Sequence, residues 1–63
     1  MAGMKVARLR TVRETKALSQ DELAKKAGVS RITVSNIENG HDAYPATVRK
    51  LAAALGVEPA ELI

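Results

Sequence analysis

The chain has 63 residues, enough for one small domain that would bury only about 60% of the surface its unfolded form exposes, so marginal stability is expected without a partner. It has no cysteine, which excludes a disulfide framework and a thiolate metal site. The longest apolar run, Leu51 to Leu55, is far short of the roughly 20 residues of a membrane span, and no signal-peptide pattern opens the chain, so a soluble cytoplasmic protein is expected. Ten bases against seven acids give a net charge of +3, which says less than the placement of those charges. Lys5, Arg8, Arg10, Arg13 and Lys16 oppose a single acid, Glu14, whereas residues 51–63 carry Glu58 and Glu61 and no base. The N-terminal half is therefore expected to face phosphates, the alternative being ordinary solvated helix charges.

Val6, Leu9 and Val12 recur near helical spacing with no Pro or Gly between them, which predicts a first helix from about Met4 to Lys16. Arg13 breaks the pattern. It stands seven residues after Val6 and four after Leu9, so its stem falls on the apolar stripe. A guanidinium there needs an anion, unless it snorkels to the surface.

In the stretch SQDELAKKAGVSRITVSNIENG, Ser19 and Glu22 have capping-box spacing, and Leu18 and Leu23 are placed to staple the helix entry. Gly28 permits the left-handed backbone that ends this helix, and Ser30, with the Val29–Val34 staple, starts a third one two residues later. Leu23, Ala27, Val29, Val34 and Ile37 make the inner side, with Ala24 small where two helices cross. Val34 and Ile37 fix the core direction of the third helix, leaving Arg31, Ile32, Ser35, Asn36 and Asn39 on its outer face. Those groups suit base-pair edges: Arg pairs bidentately with guanine, Asn with adenine, and an apolar tip touches a thymine methyl.

Asn39-Gly40 reads as a helix end, followed by the loop His41-Asp42-Ala43-Tyr44. Pro45 suits the first turn of a fourth helix lined by Val48, Leu51, Ala52 and Leu55 and ended by Gly56, and Pro59 opens a last turn through Ile63. Five helices and no strand are predicted. Tyr44 is read as a packing residue with its hydroxyl at the rim. His41 is a loop residue with no second His or Cys to share a metal, though protonated it would donate to a phosphate.

The order LRTVRETKALS, LSQDELAKKAGVSRITVSNIENG, PATVRKLAAALGVEPAELI resembles the Cro/cI-type, or XRE-like, helix-turn-helix DNA-binding domains, over nearly the whole chain from about Met4. The resemblance implies an all-α, five-helix, lambda-repressor-like domain filling residues 1–63, with its helix-turn-helix at about residues 19–39 and its recognition helix at about 31–39 in the major groove. Base contacts are then expected from Arg31, Ile32, Ser35 and Asn36. Phosphate contacts are implied for Gln20, which in the family also braces the recognition helix, and for Ser19 and Asn39, although capping explains those two equally well. Lys16 and His41 complete the candidate phosphate set. The family also pairs an Arg at the place of Arg13 with the Glu before the Asn-Gly, here Glu38, in a structural salt bridge. The loop departs from the family: where relatives often carry Lys or Arg, and some an Arg just after the Pro, this chain has His41 to Tyr44 and Ala46, which should lower phosphate affinity and remove minor-groove reading there.

The function implied is sequence-specific binding of a double-stranded DNA operator as a transcriptional regulator, a repressor before an activator, without catalytic residues, metal or cofactor. A weak homodimer on a palindromic site is expected, built on apolar surface at Leu62 and Ile63. A protein-interaction module of the antitoxin or multi-domain-regulator kind, and a low-specificity DNA binder, remain open alternatives.

Overall fold

A computed structural model describes residues 3–63. Four α-helices follow one another, α1 (Leu9–Thr15), α2 (Gln20–Ala27), α3 (Arg31–Glu38) and α4 (Pro45–Leu55), and a single 3₁₀ turn, Pro59–Glu61, stands where a fifth helix was expected. The all-helical reading holds with four α-helices.

The first helix is shorter than its apolar spacing suggests. A helix reaching back to Met4 would bond the Arg8 amide to the Met4 carbonyl, but both groups are engaged elsewhere. The Met4 carbonyl accepts from the Ala43 amide at 2.9 Å, and the Arg8 amide donates to the Leu62 carbonyl at 2.9 Å. With the Met4 amide donating to the Ala43 carbonyl at 2.8 Å, Met4 and Ala43 form an isolated antiparallel bridge, a fragment of strand pairing where none was expected. Distant backbone partners thus satisfy groups that a longer helix would have used internally.

At its other end α1 closes without glycine. Ala17 takes φ 58°, and the Leu18 amide returns to the Arg13 carbonyl at 3.2 Å. A Cβ in that region costs about 1 to 2 kcal/mol, against about 0.4 to 1 kcal/mol of extra unfolded-state freedom that a glycine brings. Ala17→Gly should therefore raise the melting temperature by a few degrees. A fall on thermal melting would mean that the Ala17 methyl makes contacts worth more than its strain.

The helix-turn-helix forms from local chemistry. Ser19 Oγ accepts from the Glu22 amide at 3.0 Å while Glu22 Oε1 accepts from the Ser19 amide at 2.8 Å, closing the capping box. That bonding holds the Glu22 carboxyl below its ordinary range, the backbone amide of Ser19 being the main cause. Gly28 ends α2 at φ 73°, and Ser30 Oγ caps α3 through the Thr33 amide at 3.0 Å. Leu23 and Ala24 of α2, Val34 and Ile37 of α3, and Val48, Leu51, Ala52 and Leu55 of α4 meet in one aliphatic core closed by Val6 and Leu9, with Ala27 and Val29 half-buried against it.

Two expectations are corrected. Leu62 is fully buried, because the 3₁₀ turn and the bond from the Arg8 amide fold it back into the core, and Ile63 alone keeps apolar surface at that end, 53% exposed. Tyr44 is 65% exposed and not a packing residue. It occupies the N-cap of α4 in extended conformation, as the residue before a proline must, and so falls outside the face that α4 buries.

Candidate nucleic-acid interface

On α3 the burial of Val34 and Ile37 turns Arg31, Ile32 and Asn36 to solvent, with Ser35 half-buried beside them and Asn39 exposed at the C-cap. Ile32 is 68% exposed, the most open large apolar side chain among the described residues. The face thus offers a cation, an amide, a hydroxyl and a branched apolar tip on adjoining turns.

This face is held from behind by Glu38. Its side chain is completely buried, and four donors converge on it. Arg13 Nε reaches Oε2 at 2.6 Å and Arg13 Nη2 reaches Oε1 at 3.0 Å, a two-point pairing; Gln20 Nε2 donates to Oε1 at 3.0 Å and Arg10 Nε to Oε1 at 3.2 Å. Arg13 also donates from Nη1 to the Leu18 carbonyl at 2.8 Å, so its guanidinium links α1, the α1–α2 turn and the end of α3. Burial by itself pushes the Glu38 carboxyl up, but the hydrogen bonds from Arg13, Gln20 and Arg10 and the charge of Arg13 reverse this and leave it below the ordinary carboxylate range. The hydrogen bond to Glu38 raises Arg13 in turn, against the opposing effect of its own burial.

In the sequence Arg10 is one of the N-terminal bases expected to face phosphates, and its bond to Glu38 was not foreseen. The available signal was its position three residues before Arg13, one helical turn away on the same side.

The candidate phosphate residues are spread around this clamp. Gln20 opens α2, its side-chain amide turned to Glu38. Ser19 is exposed but its hydroxyl is engaged as a cap. Asn39 and His41 are exposed at the end of α3, their amides bonded back to Ser35 and Asn36 carbonyls. His41, Tyr44, Asn36, Thr33 and Thr47 line an open groove of about 300 Å³ between α3 and the start of α4. Lys16 lies outside this groove, in a cleft it shares with Arg8, Val57 and Glu61. The N-terminal bases are less available than their number suggests: Lys5 donates to the Gly40 carbonyl and pairs with Asp42 at 3.2 Å, while Arg10 and Arg13 hold Glu38. Among the described residues no three His, Cys, Asp or Glu side chains gather where they would hold a metal, and no helix is long and apolar enough to cross a membrane.

The sequence pattern of the helix-turn-helix family matches residues 9–62. The chain belongs to this family, in its Cro/cI or XRE-like branch. Among curated relatives, this helix-turn-helix domain is 45% identical over 51 residues to the HTH-type transcriptional repressor RghR of Bacillus subtilis, a match covering 78% of this chain and 38% of RghR. The chain thus spans well under half the length of that relative. Among solved structures, the restriction-modification controller protein C.AhdI of Aeromonas hydrophila superposes with a TM-score of 0.85 at 42% identity, over 89% of this chain and 86% of that one. SinR, the master regulator for biofilm formation, solved in complex with DNA, superposes at 0.83 with 33% identity, over 94% and 97%.

Proposed function

We propose that this helix-turn-helix domain is the DNA-reading part of a transcriptional repressor, with α3 lying in the major groove of a double-stranded operator. The observation that carries the reading is the exposed α3 face, where Ile32 stands open to solvent between Arg31 and Asn36 while a buried carboxylate at Glu38 fixes the helix behind it. Contact with a thymine methyl would give this apolar tip a use, beside a guanidinium and an amide that suit base edges. Arg31, Ile32, Ser35 and Asn36 meet base edges; Lys16, Ser19, Gln20, Asn39 and His41 meet phosphates, Gln20 beside the amides at the start of α2, where the helix dipole favours an anion. Two copies on a palindrome would place their half-site centres about 34 to 36 Å apart. Such a protein works in the cytoplasm, on the nucleoid when bound, and requires no cofactor.

Enrichment of random duplexes over several rounds tests this reading. One recovered motif supports it; uniform, salt-sensitive binding would instead mark a low-specificity binder, and no binding an interaction module. On a recovered site, Arg31→Ala and Asn36→Ala should each lose about 1 to 3 kcal/mol of discrimination at one base position. Lys16→Ala should weaken all duplexes alike and lower the salt slope by about one unit. Unchanged relative affinity of Arg31→Ala and Asn36→Ala for selected and scrambled sites would move the recognition face elsewhere.

A further inference from the structure

We propose that Arg10 is a further phosphate-binding residue, held on Glu38 in the free domain and transferred to a DNA backbone phosphate on binding; the inference rests on the DNA-binding reading above. Glu38 Oε1 accepts three hydrogen bonds, from Arg13, Gln20 and Arg10, although a carboxylate oxygen has two lone pairs. Arg10 is the weakest of the three. It binds through Nε alone at 3.2 Å, and its side chain is 54% exposed where that of Arg13 is 12% exposed. Its two terminal nitrogens have no partner among the described residues. The charges lead the same way. Two guanidiniums on one carboxylate leave one positive charge uncompensated, and the exposed Arg10 carries it. Lys5, across the groove formed with Val6, Ala7 and Ile37, is already tied to Asp42 and the Gly40 carbonyl.

Position favours transfer as well. Gln20 Nε2 and Arg10 Nε reach the same oxygen, so the Arg10 head lies within two hydrogen-bond lengths of the side chain at the start of α2. A phosphate seated there is within reach of the free Arg10 nitrogens by rotation of an exposed side chain. Glu38 keeps both Arg13 bonds and the Gln20 bond, so the brace behind α3 persists. A single-point exposed pair is weak, whereas a guanidinium on phosphate forms a charge-assisted pair in fork geometry.

The test is the salt dependence of binding of the full chain to a mixed-sequence DNA duplex, with a melting curve for each variant. Arg10→Gln should lower the slope of log K against log salt by about 0.9 for each bound copy, with its melting temperature within a few degrees of the parent, and Arg10→Lys should restore the slope. Lys50→Gln makes the same change of charge at an exposed position of α4 outside the proposed contact set and should leave the slope nearly unaltered. A parental slope in Arg10→Gln, or an equal loss in Lys50→Gln, overturns the inference while the DNA-binding reading stands. Failure of the parent to bind the duplex overturns both.

Discussion

Glu38→Ala should melt tens of degrees below the parent. The substitution strips a buried guanidinium, Arg13 at 12% side-chain exposure, of both its charge partners' oxygens and leaves the Gln20 amide without its acceptor. Breaking a buried pair in this way costs about 3 to 5 kcal/mol, and each kcal/mol moves the melting point of a domain this small by about 4 to 8 °C. Arg10→Ala, removing a half-exposed single-point partner, should cost about 1 kcal/mol or less. The same carboxylate sets the acid limit. Its folded pKa lies below the unfolded value of about 4.5, so the unfolded chain takes up the proton first as pH falls. The stability it contributes is fully present above about pH 4.5 and is lost below that, as pH falls through the folded value. Thermal melts from neutral to acid pH should show this loss in the parent and a flatter profile in Glu38→Gln. A Glu38→Ala variant within a degree or two of the parent at neutral pH would show that the clamp does not hold the fold.

Leu62→Ala should be the second severe change, by about 2 to 5 kcal/mol, because Leu62 is fully enclosed and truncation leaves a cavity between the 3₁₀ turn and the rest of the core. Its neighbour provides the control: Ile63→Ala, at 53% exposure, should stay within about 0.5 kcal/mol of the parent. Chemical denaturation compares the two directly. Equal and small effects would mean that the last turn frays and that Leu62 spends its time in water.

What could be read in advance was decided by local chemistry. Ser19, Glu22, Gly28 and Ser30 act on amides a few residues away, and each occupies the structure as its spacing implied. Arg13 was legible because a charge on an apolar stripe has few stable solutions, and pairing is the commonest of them; that its partner is Glu38 was implied by the family resemblance. The start of α1 was not, since hydrogen bonds to Ala43 and Leu62, remote in sequence, outcompete helical propensity at residues 4–8. Leu62 stands alone beyond the last helix, with no periodic neighbours to reveal that it faces inward. Ala17 gives no sign in the sequence of the left-handed turn it makes. Of the proposed interface, the outward face of α3 followed from Val34 and Ile37, whereas the engagement of Lys5 and Arg10 by acceptors near the end of α3 depends on how α1 lies across it.

The bridge between Met4 and Ala43 decides how anything attached to this domain must leave it. Gly3 sits so close to the loop that an added Cβ would come within 2.8 Å of the Asp42 Cβ and 3.0 Å of the Ala43 carbonyl oxygen. A label carried at Gly3 would therefore stand beside Asp42, next to His41 and the groove at the end of α3, and on the proposed reading it would crowd an approaching duplex. One joined after Ile63 emerges beside Arg8, at the start of α1. Immobilisation for binding measurements should use the carboxyl end, and a fluorophore meant to sense an arriving duplex belongs at the amino end.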